Sequence, residues 1–314
     1  MKVSVSKSVC LGLVIASAAT IAATAQTSQG NNFVVDTQSY EGSDSVRLTA
    51  APEGYVMVWN DEFDSPASLT EKWIPMTWEP QRVNHELQTY RPGDQAIEDA
   101  EGNLRHTAEV VDGVLRINCF KGADGRIYSA RMDSRQEGSP YNDVAGWKHG
   151  YIEARIRIPS GLGTWPAFWM MPADPEQRKL GWPACGEIDI LEEVGADPDE
   201  VVCSLHAKGH NHRDKTQVSA RRQLGNMENN WLVYSMLWDD DHIEIFADGR
   251  QILNYPNDHT GNDNWPYDCA YHATLNLAWG GDWGGYKGVD ESALPVVMEV
   301  DYVRVYQKPE AAAK

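Results

Sequence analysis

At 314 residues and 42% hydrophobic content, the chain has enough apolar material for one large β domain or two ordinary ones, which excludes a disordered tail. Its 27 Lys and Arg stand against 46 Asp and Glu, and a formal charge of −19 repels phosphate backbones and anionic lipid, so nucleic acid and membrane surfaces are excluded as partners. Twelve Trp and 13 Tyr against 5 Phe favour rings with a polar edge, the kind that line wet surfaces.

In chain order, Lys2 and Lys7 precede the apolar run Val9 to Ala23, and Ala23-Thr24-Ala25 offers a small-x-small cleavage site. Residues 1–25 therefore read as a secretory signal peptide, and the mature chain as a secreted protein, extracellular or periplasmic. No other stretch approaches the roughly 20 apolar residues of a membrane helix. Residues 26–50 are polar and show no sustained period, and are expected as a loose lead-in. Beyond the leader, Cys119, Cys185, Cys203 and Cys269 have no CxxC spacing, which disfavours a zinc ribbon and leaves zero, one or two disulfides open.

From residue 51 to 308 the signals are those of strands. Tyr151 to Ile158 alternates, with Ile152, Ala154, Ile156 and Ile158 on one face, which is the pattern of a strand with one face in a core. Asp112-Gly113 and Asp248-Gly249 sit between alternating runs, as type I′ hairpin turns require, because both central positions need positive φ. Val300 to Val305 reads as the last strand, before a tail at 309–314. Helical periodicity and internal repeats are absent, so the expectation is a single all-β sandwich, acting as a monomer.

The segment Gly186-Glu187-Ile188-Asp189-Ile190-Leu191-Glu192-Glu193 concentrates four acids in an apolar strand. Regular alternation turns Gly186, Ile188 and Ile190 to the core and Glu187, Asp189 and Glu193 to the open face. Glu193, however, lies about 20 Å along the strand from Glu187, too far for two Glu side chains to converge. Glu192 is nearer but out of phase, and a one-residue bulge at Ile190-Leu191 would rotate it onto the open face, roughly 13 Å of backbone from Glu187. Two Glu side chains leaning together then reach a separation of about 5–5.5 Å, which suits a retaining glycosidase. In that chemistry one carboxylate attacks the anomeric carbon and the other protonates the leaving oxygen, while an intervening Asp189 sets their acidities apart.

Other segments join this one: Trp59-Asn60-Asp61-Glu62-Phe63-Asp64, Asn84-His85-Glu86-Leu87-Gln88, Ser129-Ala130-Arg131, Gly150 to Arg155, Gly163-Thr164-Trp165-Pro166-Ala167-Phe168-Trp169, Asn276 to Trp283 and Val300 to Tyr306. Together and in this order, they resemble glycoside hydrolase family 16, in its laminarinase-like branch of endo-β-1,3(1,4)-glucanases, over nearly all of the mature chain. The spacing ExDxxE is similar to the bulged version found in laminarinases, agarases and carrageenases. The resemblance implies a concanavalin A-like β-jelly roll with a concave substrate cleft. It implies Glu187 as nucleophile, Asp189 as its partner and Glu192 as acid/base. Trp165, Trp169, Trp182 and Trp283 are the implied sugar-binding aromatics, with Asn84, Glu86, Arg131 and His206 as polar contacts; Trp169 is alternatively core beneath the site. No cofactor is implied for catalysis. A structural calcium would match Glu62, the carbonyl of Gly113 and Asp301, although both acids also have an ordinary surface explanation.

The expected substrate is β-1,3-glucan, with mixed-linkage β-1,3-1,4-glucan second. A galactan hydrolase on the same fold, or a non-catalytic β-glucan lectin, are the alternatives. One departure bears on this choice: where laminarinases commonly have a Gly-Pro-Gly turn, this chain has the basic loop His206-Ala207-Lys208-Gly209-His210-Asn211-His212-Arg213-Asp214-Lys215. Facing the cleft, that loop could bind sulfate or uronate groups; lying outside it, loss of Lys208 and Arg213 would leave laminarin hydrolysis nearly intact.

Overall fold

The computed structural model describes residues 40–309, so the expected leader, residues 26–39 and the end of the tail lie outside the described residues. The first half carries β1 (Val56–Asp61), β2 (Trp73–Pro75), β3 (Gln88–Tyr90), β4 (Ile97–Glu98), β5 (Leu104–Arg105), β6 (Ala108–Val111), β7 (Val114–Lys121), β8 (Ile127–Ser129) and β9 (Arg131–Ser134). The second half carries β10 (Gly150–Arg157), β11 (Thr164–Pro172), β12 (Glu187–Glu192), β13 (Glu200–His206) and β14 (Val218–Gln223). It continues with β15 (Trp231–Trp238), β16 (His242–Ala247), β17 (Arg250–Pro256), β18 (Tyr271–Trp279) and β19 (Val296–Gln307). Among the described residues no helix is long and apolar enough to cross a membrane.

Two sheets make a jelly-roll sandwich. One has seven strands in the order β14-β13-β12-β11-β18-β9-β2; the other has ten, on the path β17-β16-β15-β10-β19-β7-β8-β3, with β1 beside β19 and β6 beside β7. Alternation decides which side chains meet between them. Ile152, Ala154 and Ile156 of β10, with Tyr234 and Met236 of β15, share one buried cluster with Ile188 and Ile190 of β12, Phe168 and Met170 of β11, and Leu275 and Leu277 of β18. Each such large side chain contributes about 1.5–3 kcal/mol on leaving water. The intervening residues of the seven-stranded sheet project outward, and they build the cleft. Both expected hairpin turns have positive φ at both central residues, 53° and 76° at Asp112-Gly113 and 47° and 73° at Asp248-Gly249.

The lead-in is not loose in its second half. Glu41 bridges Leu253, Arg47 bridges Arg250, and the Gly42 N–H donates to Ile252 O at 2.7 Å, so residues 40–50 cover the edge strand β17. Gly42 permits this approach, because a Cβ there would lie 2.3 Å from Gln251 O. An unpaired sheet edge supplies the hydrogen-bonding groups that a polar segment without periodicity can use. The four cysteines among the described residues are free thiols, Cys119, Cys185 and Cys203 buried and Cys269 partly so.

Candidate active site

A cleft of about 720 Å³ crosses the outer face of the seven-stranded sheet, from Trp78 and Arg131 near β2 and β9 to Gln217 and Arg221 near β14, with β12 at its centre. On β12, Asp189 pairs with Ser204 while Glu192 pairs with Val202, three steps against two; against β11, Asp189 and Leu191 oppose Trp169 and Phe168. That is a one-residue bulge at Ile190, and it turns Glu192 into the cleft and Glu193 inward, where it is fully buried. Gly186 immediately precedes the strand, and its φ of +86° and its missing Cβ, which would lie 2.1 Å from Tyr271 Oη, let β12 start tightly against β18.

Each glutamate is pinned by an indole. Trp182 Nε1 donates to Glu187 Oε2 at 3.1 Å, and Trp165 Nε1 donates to Glu192 Oε1 at 2.9 Å. Asp189 lies between them with Oδ2 without a hydrogen-bond partner, and His206 Nε2 stands 3.2 Å from it and 3.7 Å from Glu187 Oε1. Burial lowers the His206 pKa, so the imidazole is neutral at neutral pH. Burial raises all three carboxyls, but unequally. Glu192 is pushed well up by burial and by Asp189, Asp189 is raised by burial, and Glu187 is pushed up to about 7 by burial and Asp189, with His206, Arg131 and the Trp182 N–H opposing the rise. Glu187 is thus the carboxyl that ionises first on one side of the scissile position, while Glu192 keeps its proton.

Around the acids stand the other expected residues. Trp169 is not core: it lines the cleft, its Nε1 donates to Asn276 Oδ1 at 2.7 Å, and the Arg131 guanidinium lies 4.5 Å from its ring centre. Trp283 also lines the cleft, edge-on to Trp165 at 5.3 Å. Asn84 is exposed at the rim and donates weakly, at 3.4 Å, to Glu86, which is buried and accepts from Gln88 Nε2 at 2.7 Å. Burial raises the Glu86 pKa against those donors and Arg131. Sequence reasoning missed Trp78, Asn276, Arg221 and Gln217, all of which line the cleft. The outward parity of Asn276 on β18 was the one signal available for these.

The basic loop divides. His212 and Arg213 line the cleft; His210 is buried, bonded to the carbonyls of Leu205 and Asn264, and Lys208 pairs with Asp263 at 2.7 Å. The calcium positions are neighbours by register, since β1 ends opposite Val303 and β7 begins its pairing at Val300. Their carboxylates, however, are already engaged: Arg304 donates to both oxygens of Glu62, at 2.8 and 2.7 Å, and Arg155 donates to Asp301 at 2.7 Å. Of the two acids, Glu62 has both oxygens on a guanidinium, while Asp301 keeps Oδ1 outside its bond to Arg155.

Glu193 gives a test of stability. Its carboxyl is raised to about 9 by burial and by Glu228. The folded chain therefore holds this proton more tightly than the unfolded chain, and stability is full below the ordinary carboxyl range and is lost as pH climbs toward 9. Glu193→Gln is expected to flatten that loss: Tm of the wild type falls more steeply than that of the variant between pH 5 and 8.5, and parallel curves would contradict this placement.

Residues 112–304 match the model of glycosyl hydrolases family 16. A β-glucanase of Rhodothermus marinus is 36% identical over 274 residues, covering 85% of this chain and 89% of the relative. Among solved structures, SCLam, a non-specific endo-β-1,3(4)-glucanase, superposes with a TM-score of 0.73 at 36% identity over 89% of this chain and 97% of that one. The laminarinase from Rhodothermus marinus gives 0.70 at 36% over 81% and 97%. With its bulged acidic strand at the centre of a tryptophan-lined cleft, the chain belongs to glycosyl hydrolases family 16 and is a glycoside hydrolase that needs no cofactor for catalysis.

Proposed function

We propose that the protein is a retaining endo-β-glucanase acting on β-1,3-glucan, with mixed-linkage β-1,3-1,4-glucan as second substrate. The observation that carries the mechanism is the pair of glutamates on one bulged strand, each held by an indole N–H and separated in acidity. A Glu187 oxygen attacks the anomeric carbon while Glu192 gives its proton to the departing glycosidic oxygen, forming a glycosyl-enzyme. Glu192, now a carboxylate, takes a proton from water, which displaces Glu187 from the sugar and restores the starting configuration. Asp189, kept protonated by burial, shares its proton with the nucleophile and steadies it as charge moves off. Trp169, Trp182 and Trp283 offer ring faces and edges to the apolar faces of the sugars, and Asn84, Glu86, Arg131 and Asn276 offer polar contacts.

The similar proteins named above, a β-glucanase, a non-specific endo-β-1,3(4)-glucanase and a laminarinase, support glucan over galactan. Export rests on the sequence pattern of residues 1–25, and action as a monomer on the single sandwich. The experiment is product release from laminarin, barley mixed-linkage glucan, agarose, porphyran and carrageenan, with oligosaccharides resolved by size and anomer. Rapid release of a range of oligosaccharides from the glucans, first as β-anomers, is expected. Cleavage of a galactan alone would overturn the substrate, and inactivity on all five would revive the lectin alternative.

A further inference from the structure

Four arginines line the cleft of a chain whose formal charge is −19. Arg82, Arg131, Arg213 and Arg221 line it, and every one lies on an indole: Arg82 and Arg131 at 4.6 and 4.3 Å from Trp78, Arg213 at 4.4 Å from Trp182, Arg221 at 5.6 Å from Trp283. Burial holds Glu86, Glu187, Asp189 and Glu192 above their ordinary values, and Asp282 lies 2.9 Å from His85. Among the described residues, no carboxylate lies within ion-pair distance of Arg82 or Arg213, whereas Arg221 is paired with Glu200 at 3.0 Å.

Arg213 is the better placed of the two. Its ring partner, Trp182, is the one that donates to Glu187, so the guanidinium adjoins the nucleophile's wall of the cleft. The loop beneath is fixed from below. Asn211, 1% exposed, donates to Ala207 O and Asp214 and accepts from the Asp214 N–H; the Gly209 N–H donates to Asp263 O at 2.6 Å, where a Cβ on residue 209 would lie 1.9 Å from Asn264 Oδ1. His212 packs on Trp182 at 4.6 Å and completes the seat. A guanidinium with one face on an aromatic ring and its N–H edge free of carboxylates is shaped for bidentate contact with a planar or tetrahedral oxyanion.

We propose that the cleft accepts β-glucan chains bearing anionic substituents, sulfate or carboxylate, and that Arg213 binds one such group beside the nucleophile. This rests on the glucanase reading of the same site. The test compares kcat/KM on laminarin, partially sulfated laminarin and carboxymethylated β-1,3-glucan for the wild type, Arg213→Ala and Lys208→Ala, at low and high salt. The wild type is expected to cleave at least one derivative as well as it cleaves laminarin. Arg213→Ala is expected to shift the derivative-to-laminarin ratio by about tenfold against the derivative, the order of one charge-assisted hydrogen bond, with the difference shrinking at high salt. Lys208→Ala removes the same charge from the same loop, but from a side chain paired with Asp263, and is expected to keep the wild-type ratio. The sulfated and carboxymethylated arms tell which oxyanion is bound. An unchanged ratio in Arg213→Ala, or equal change in both variants, overturns the proposal. Calorimetry of sulfated and neutral β-1,3-gluco-oligosaccharides on Glu187→Gln, with and without Arg213→Ala, reads the same preference without turnover. Failure to cleave laminarin would therefore sink the glucanase reading, while equal affinities would sink the anion site.

Discussion

Replacing Glu187 or Glu192 by alanine is expected to lower kcat on laminarin by at least about 10³-fold, since each removes a group that forms or breaks a bond to the reacting sugar. Loss of activity alone does not separate their roles, but azide does. With an aryl β-glucoside whose leaving group needs no proton, azide fills the space left in Glu187→Ala and attacks the anomeric carbon directly, so the product is an α-glycosyl azide. In Glu192→Ala the glycosyl-enzyme still forms on Glu187, azide replaces water in the second step, and the product is a β-glycosyl azide. The reverse pairing of variant and anomer would exchange the two assignments. Glu193→Ala is expected to lose stability and to give neither azide, because the bulge at Ile190 has turned that side chain into the core.

Arg131→Ala is expected to show the next largest effect. The guanidinium lies between Trp78 and Trp169, at 4.3 and 4.5 Å, and its positive charge opposes the rise in pKa of both Glu187 and Glu86. Removing a cation near a carboxyl raises its pKa further, so the acid limb of kcat/KM, which the ionisation of Glu187 places near pH 7, moves upward. At pH 6.5 the loss in kcat/KM is expected to be about 10²-fold, combining this shift with the loss of a polar contact in the cleft. Arg131→Lys keeps the charge but not the planar fit between two indoles, and is expected to hold the acid limb in place while still losing rate. A profile that does not move in the alanine variant would show that Arg131 acts on the substrate alone.

The bulge was legible because two periodicities conflict. Ile188 and Ile190 fix the core side of the strand, and the third acid can join Glu187 and Asp189 only if one residue is skipped. The hairpins were legible because Asp-Gly admits few backbone shapes. What could not be read was the use made of side chains brought from afar. Trp165 and Trp182 line the cleft as the expected sugar-binding aromatics, and their N–H edges also hold the two glutamates, which depends on distances across 27 and 5 residues of folded chain. Trp78 enters the cleft because its segment bridges Tyr90, a pairing of single residues that leaves no periodic trace. The basic loop read as one unit of charge, but the buried anchor Asn211 sends Arg213 into the cleft while Lys208 turns to Asp263. Glu62 and Asp301 pair with Arg304 and Arg155, because a carboxylate's partner is decided by whichever cation the register brings nearest.

The most direct test of the double displacement is to trap its intermediate. A 2-deoxy-2-fluoro-β-glucosyl donor with an activated leaving group slows the second step more than the first, and the adduct is located by mass spectrometry of the digested protein. The account predicts one equivalent of label on Glu187, released on transfer to an acceptor glucan; label on Glu192 or Asp189 would contradict it.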